Sequence, residues 1–397
     1  MKSFSDYIII KSAIRHNLRQ CKRVLNGTKI CAVVKANGYG VGIKNVVKQI
    51  DDLVDYYAVA CFVEAKKLRQ ITQKPILVLN FVHMSTFDYC IKNNISITVS
   101  NLKQQKIIEQ FEKRFLNKKH KLKNILESQD NEKKLKIHFA INTGMNRIGF
   151  SSQNDFYKSL VILKKCKYLK LEGIYTHFYN AENLKDTTNQ NRIFMQYLDI
   201  LKTNINQRDL IVHAANSEAA LNYKIFNYDM IRLGIVLYGG LEINYDPVQY
   251  GESKGYREYK TKFMFKPSIS IKSKIIAINN VKKGECVGYC KNYIAKKNMV
   301  VATIPLGYAD GIFRNFSKKG KVLINGKKCK VVGNICMDMF MVDITNVKAK
   351  IFDEVILIGK DKLGNIITLN EFASYCDTIS YEVLTNIKQM RFNIKNA

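Results

Sequence analysis

Eight short apolar runs in the first 240 residues, separated by longer stretches, constrain this chain more than any other feature. They are residues 30–34 (ICAVV), 56–60 (YYAVA), 75–80 (PILVLN), 95–100 (ISITVS), 135–142 (LKIHFAIN), 171–178 (LEGIYTHF), 210–217 (LIVHAANS) and 230–239 (MIRLGIVLYG). Between them, stretches such as 101–115 and 191–205 repeat apolar residues at helical spacing. Continuous apolar strands alternating with helices mean a parallel sheet covered on both faces. This count and length match a (β/α)8 TIM-type barrel. An open doubly wound sheet satisfies the same periodicity and stays the alternative.

Beyond residue 255 the pattern changes. Apolar runs at 268–277, 299–307, 321–333 and 353–359 follow with few helices between them, and Asn325-Gly326 separates two of them as a hairpin signal. The expected division is a barrel over 1–245 and a mostly β domain over 255–397, with 242–260 as linker. The short N-terminal segment is expected to pack with the second domain.

The net charge of +31 comes from 64 basic against 33 acidic residues. Such an excess generally points to nucleic acid or an anionic membrane. Here the lysines run along the whole length and accompany no nucleic-acid motif, so a solvated basic surface is expected. Residues 113–136 are denser and of mixed charge, which reads as an exposed insertion. Ten cysteines lie at irregular spacing; Cys286 and Cys290 bracket VGY without a second pair, so reduced thiols and no metal site are expected. No stretch is long enough to span a bilayer, and the apolar run near the start is too short for a signal peptide. The expected location is cytoplasmic, with no membrane and no nucleic acid as partners.

In a (β/α)8 barrel the active site is built where strands end at the C-terminal face. Those ends carry Lys35, Arg147, His177, Asn216, Ser217, Arg232 and Gly234. Singly they have plain readings: a surface lysine, a core histidine, a salt-bridge arginine, a helix-capping serine. Together they supply a nucleophilic amine, an aromatic base, two guanidiniums and groups for an anion, the last being the Ser217 hydroxyl and the Gly234–Ile235 backbone N–H groups. An amine and a phosphate cradle in one barrel mouth suggest pyridoxal 5′-phosphate. Its aldehyde condenses with an amine and its ring then withdraws electrons.

With those residues in place, the motifs AVVKANGYGVG, TGMNRIGF, GIYTHF, HAANSEAAL, DMIRLGIVLYGG, GYCKNY, IPLGYADGIFR, VVGNICMDMFMVDIT and ISYEVLTNI resemble, in order, those of the alanine racemases. The resemblance runs from about residue 8 to 390. It implies a cofactor-binding barrel followed by a β domain, in a head-to-tail homodimer with shared active sites. It implies an isomerase that interconverts L- and D-alanine by a two-base mechanism and supplies D-alanine for peptidoglycan. By the same resemblance, Lys35 binds the cofactor and acts as the base for D-alanine, and Tyr289 of the partner subunit is the opposite base. Tyr39, Ser217, Gly234, Ile235 and Tyr381 surround the phosphate. His177 lies against the pyridine ring and Arg232 faces its nitrogen. Arg147 and the Met337 backbone, the latter from the partner, bind the substrate carboxylate region, and Asp338 fixes the Met337 loop.

Three departures from the family pattern stand out. Many members carry a carbamylated lysine where this chain has Ala140 and an aspartate where it has Asn142. Arg147 must then be positioned otherwise, with Asn142 and a bound anion such as chloride as the candidates. The ending MRFNIKNA lacks the usual arginine-proline-arginine pattern, and Val41 replaces a common histidine. The alternatives are a racemase of broader specificity, a non-catalytic pyridoxal-phosphate-binding protein, a decarboxylase of the same barrel type and a basic nucleic-acid binder.

Overall fold

The computed structural model describes residues 3–25, 27–121, 134–206, 209–241 and 263–397. The expected linker 242–260 lies outside these residues, as does the middle of the expected insertion. The described start of that insertion continues the helix Leu102–Lys121.

The first strand, β1 (Asp6–Ile9), belongs to a sheet formed later in the chain. The next eight are β2 (Lys29–Val33), β3 (Tyr56–Val59), β4 (Ile76–Val78), β5 (Ile95–Val99), β6 (Leu135–Ala140), β7 (Leu169–Tyr175), β8 (Ile211–His213) and β9 (Met230–Leu233). All eight form one parallel sheet in the order β8-β7-β6-β5-β4-β3-β2-β9. The ring closes between β8 and β9 by two backbone hydrogen bonds, each joining a residue of one strand to a residue just beyond the other. Asp229 N–H donates to Val212 O at 3.0 Å, and Arg232 N–H to Ala215 O at 3.0 Å. Every residue of β3, β4 and β5 is buried. Walls covered by helices outside and packed side chains inside leave no solvent face, which is why these strands are apolar throughout.

The second sheet has ten strands. They are β1 with β10 (Ile269–Lys274), β11 (Ala277–Val281), β12 (Met299–Ile304), β13 (Lys321–Ile324), β14 (Lys327–Val332), β15 (Phe340–Asp343), β16 (Glu354–Lys360), β17 (Ile366–Ile367) and β18 (Asn393–Asn396). β1 pairs antiparallel with β10 and parallel with β18, so both ends of the chain meet in this sheet. β13 and β14 form the hairpin at Asn325-Gly326. Both turn residues have positive φ, 46° and 82°, as a two-residue type I′ turn requires.

The two sheets are joined beside the barrel mouth. Directly after β2 the chain makes a left-handed turn through Ala36, Asn37, Gly38 and Tyr39, with φ of 52°, 54°, 63° and 52°. Gly40 follows at φ +79°, and a Cβ built there would sit 2.3 Å from the carbonyl oxygen of Leu384. Leu384 lies in the helix Ser380–Asn386, which also carries Tyr381. The Gln389 side chain donates to the Gly40 carbonyl, closing the same joint. Replacing Gly40 by alanine is expected to destabilise the protein by on the order of 1–3 kcal/mol through left-handed strain alone, with the Leu384 clash added. A lowered urea midpoint for Gly40→Ala checks this.

Candidate active site

A cavity of about 620 Å³ opens at the C-terminal ends of the barrel strands, within the size range of small-molecule sites. Lys35, Tyr39, Arg147, His177, Ser217, Arg232, Gly234, Ile235 and Tyr381 all line it. Tyr289 and Met337 do not. They are exposed, 68% and 54%, on the β domain, where Tyr289 borders a separate pocket with Tyr308 and Arg314.

The floor of the cavity is built around Arg232, only 4% exposed. Its Nη1 donates to His213 Nδ1 at 2.7 Å, and its Nη2 to Thr176 O at 2.7 Å and Ala214 O at 2.8 Å, with His177 Nδ1 at 3.4 Å. The guanidinium lies 5.3 Å from the centre of the Tyr175 ring. Burial lowers the Arg232 pKa to about 10, which still leaves a cation near neutral pH.

A guanidinium can only donate, and this dictates the proton positions below it. His213 Nδ1 must accept, so its proton is on Nε2. That Nε2–H faces His138 Nδ1 at 2.9 Å, so His138 also carries its proton on Nε2. The latter points to Glu172 Oε2 at 3.3 Å. The chain therefore runs one way, from Arg232 through two neutral imidazoles to a carboxylate. Tyr56 and Ser96 also donate to Glu172, and Lys136 Nζ lies 2.9 Å from its other oxygen. His213 opens the HAANSEAAL motif, but no motif links it to His138 or Glu172. The shared signal is a set of polar residues (His138, Glu172, His213) at interior positions of otherwise apolar runs.

The amine above it is tuned as well. Burial lowers the Lys35 pKa and Arg147 lowers it further, with Glu64 opposing; a larger neutral fraction makes a better nucleophile. Burial, then Arg232, Arg147 and Lys35, push His177 down to about 3, so its imidazole is neutral. At the opposite end, Ser217 Oγ accepts the Gly234 N–H at 2.9 Å. A Cβ at Gly234 would meet the Tyr39 hydroxyl at 2.6 Å, so only glycine admits this approach. Tyr39 is pushed up by burial and by Tyr381, and Tyr381 to about 12 by burial and Glu218; both keep their hydroxyl protons. Glu218, beside Ser217, is raised to about 7 by burial and by Glu182. This end of the cavity thus carries less than a full carboxylate charge near neutral pH.

The chain matches the family models for the alanine racemase N-terminal domain over residues 9–242 and C-terminal domain over 268–394. It is 33% identical to the alanine racemase of Ligilactobacillus salivarius over 389 residues, 96% of this chain and 95% of the other. Alanine racemase 2 of Bacillus subtilis is 33% identical over 394 residues, covering 97% and 93%. Among solved structures, the Bacillus anthracis alanine racemase with bound L-Ala-P superposes with a TM-score of 0.82 at 28% identity, covering 100% of this chain and 96% of that one.

The chain belongs to the alanine racemase family.

Alanine racemases depend on pyridoxal phosphate, and the cavity here suits that group. Hydroxyl and backbone N–H groups converge where glycine lets them approach, and an amine and a guanidinium sit on the remaining walls. Ala140 and Asn142 both line the cavity. The expectation that Asn142 positions Arg147 is corrected. The Asn142 amide donates to Asn146 Oδ1 and Ser151 Oγ, each at 2.9 Å, and its oxygen accepts the N–H groups of Gly144 and Asn146 at 3.1 and 3.0 Å. It shapes the loop that carries Arg147 and does not touch the guanidinium. Among the described residues Arg147 has no hydrogen-bond or ion-pair partner, and it is exposed to the cavity.

The Glu172 network has a testable pH signature. Burial opposes ionisation of Glu172, but hydrogen bonds from His138, Ser96 and Tyr56 outweigh it and hold the pKa below its usual value. The folded pKa lies below that of the unfolded chain. The resulting stabilisation is therefore complete at neutral pH and is lost as the pH falls below about 4.3. Glu172→Gln is expected to cost roughly 1–3 kcal/mol at pH 7 and to flatten the loss of stability on acidification. Urea midpoints measured across that pH range check both.

Proposed function

We propose that this chain interconverts L- and D-alanine with pyridoxal phosphate held in the barrel mouth. The observation that carries the reading is the shared cavity of the Lys35 amine and a buried, donor-only Arg232. Lys35 would bind the cofactor aldehyde. Tyr39, Ser217, Tyr381 and the N–H groups of Gly234 and Ile235 would hold its phosphate, and His177 would lie against its ring. When bound, the cofactor supplies the electron sink that makes the substrate Cα proton removable.

The chain's own residues do the rest. Inverting a stereocentre by proton exchange needs a base on each face of Cα. Lys35, whose lowered pKa favours the neutral amine, serves the face that gives D-alanine its proton. Tyr289 of a second copy serves the other. Its exposure, and that of Met337 in the same domain, supports their meeting the cavity of a partner in a homodimer. A free phenol has a pKa near ~10 and needs a cation to act as base near neutral pH. Arg147, without a protein partner, would supply that charge and, with the Met337 N–H, bind the substrate carboxylate.

Arg232 sets the outcome. Able only to donate, it would face the ring nitrogen and leave it unprotonated, which would favour reprotonation at Cα over transamination. We further propose that residues 1–245 and 255–397 act as barrel and β domains, with β1 crossing to the second. The setting we propose is cytoplasmic, where D-alanine would feed peptidoglycan. The ten cysteines are all free, as in a reducing compartment. Among the described residues no helix is long and apolar enough to cross a membrane.

Incubation with L- or D-alanine in heavy water, following Cα deuterium, tests the two bases. Lys35→Ala is expected to lose exchange from D-alanine and Tyr289→Phe from L-alanine, each by roughly 10²–10⁴-fold. Equal loss from both enantiomers in both variants would sink the two-base reading. Arg232→Glu is expected to lower racemisation and raise transamination, read as pyruvate formed per turnover; an unchanged partition would defeat the account of Arg232.

A further inference from the structure

Lys35 is the first residue of a backbone turn that L-amino acids avoid. A left-handed helical conformation costs roughly 1–2 kcal/mol per residue, and Ala36, Asn37 and Tyr39 all adopt it without the freedom of glycine. Internal hydrogen bonds hold the turn from within: Gly38 N–H to Val34 O and Gly40 N–H to Ala36 O, both 2.9 Å. The N–H of Ala36, which belongs to the peptide bond directly after Lys35, is held from outside. Glu64 Oε1 accepts it at 2.6 Å. The other carboxylate oxygen accepts the Ala60 N–H at 2.8 Å, just past the end of β3.

Glu64 is well placed to grip both. It sits in the first turn of the helix Phe62–Arg69, so its backbone is fixed, and it is half-buried. One carboxylate thereby bridges the ends of two neighbouring barrel strands. It locks the peptide that orients the Lys35 side chain into the cavity.

Glu64 also matters electrostatically. The titratable and charged groups that share the Lys35 cavity are Arg147, Arg232, His177, Tyr175 and Tyr179, together with Tyr39, Glu218 and Tyr381. Two of these are fixed cations. Burial and Arg147 both disfavour a charged Lys35, and Glu64 is the group that opposes them.

We propose that Glu64 is a positioning residue for the Lys35 base, pinning the strained turn behind the amine and balancing the cations around it. This deepens the proposed racemase function and rests on it. Glutamine at position 64 keeps the size but loses the charge, and it turns one NH2 donor toward a backbone N–H. Aspartate keeps the charge but withdraws it by one methylene.

The test uses two readouts on the full-length chain. The first is competitive acetylation of the cofactor-free protein across a pH series. Peptide mass spectrometry follows Lys35, with exposed lysines as internal reference. The second is steady-state racemisation by the loaded enzyme. Glu64→Gln is expected to move the Lys35 acetylation midpoint to lower pH. It is also expected to lower kcat roughly 10- to 100-fold with KM little changed, as for loss of one charge-assisted hydrogen bond. Glu64→Asp is expected to restore the midpoint towards wild type while kcat stays depressed. A wild-type midpoint in Glu64→Gln overturns the proposal, as does an equal midpoint shift in both variants. Racemisation retained by Lys35→Ala would instead defeat the assignment of Lys35 as base, a result separable from the Glu64 midpoint.

Discussion

Everything at the barrel mouth depends on keeping one guanidinium charged and out of water. Burying an unpaired cation is costly enough that such a group ordinarily acquires close partners or gives up its charge. Arg232 faces two backbone carbonyls and a histidine nitrogen, which take three of its five donors without neutralising it. The carboxylate at the end of the network, Glu172, lies further down the barrel beyond two imidazoles and is itself paired with Lys136. That separation has a chemical consequence. A carboxylate in direct contact would pair with Arg232 and compete for its donors. At the end of a polarised chain it orients the two imidazoles while leaving the remaining guanidinium donors available to the cavity. A polar line thus runs through the barrel interior, and His213 and His138 are each fixed in a single tautomer.

The barrel was readable from the amino-acid sequence because parallel strands buried on both faces leave continuous apolar runs. All eight runs became strands, and the rule that active sites sit at strand ends led to the residues that share the cavity. Other elements were not readable. β11, AINNV, is half-exposed and shows neither a run nor an alternation. β18 is mostly exposed and is held chiefly by pairing with β1 across the whole length of the chain. The ending without the family's arginine-proline-arginine pattern still provides a strand there. Within the site, the unread features are those whose partners are far apart in sequence. His138 and His213 are 75 residues apart and Glu64 lies 28 from Ala36. Hydrogen bonds between distant segments leave no local periodicity to detect. Asn142 illustrates the converse: its place in the sequence suggested a partner for Arg147, but its short side chain satisfies its own loop first.

The two proposed bases lie on different domains, yet the backbone under them is alike. Lys35 precedes five consecutive positive-φ residues, Ala36 to Gly40. Tyr289 lies between Gly288 at φ 77° and Cys290 and Lys291 at 65° and 50°. Each turn is held by a side chain from elsewhere. Glu64 takes the N–H after Lys35; Asn334 Nδ2 donates to the Tyr289 carbonyl at 3.1 Å and is itself met by Asn292 at 3.2 Å. The Met337 loop is clamped likewise. Arg391 donates to Asp338 at 2.7 Å and pairs with Asp310 at 3.1 Å, while Tyr308 and Ala309 N–H groups reach the carbonyls of Cys336 and Met337 at 3.1 and 2.9 Å. Strained backbone persists only where its surroundings over-determine it. A two-base reaction gives a reason to sustain that strain. Proton transfer to opposite faces of one carbon tolerates little error in either base, and a base carried by a neighbouring copy cannot be adjusted by the fold that holds the other. In the proposed dimer, fixing each turn from a second segment of its own chain would let two separately folded surfaces meet with both side chains already oriented.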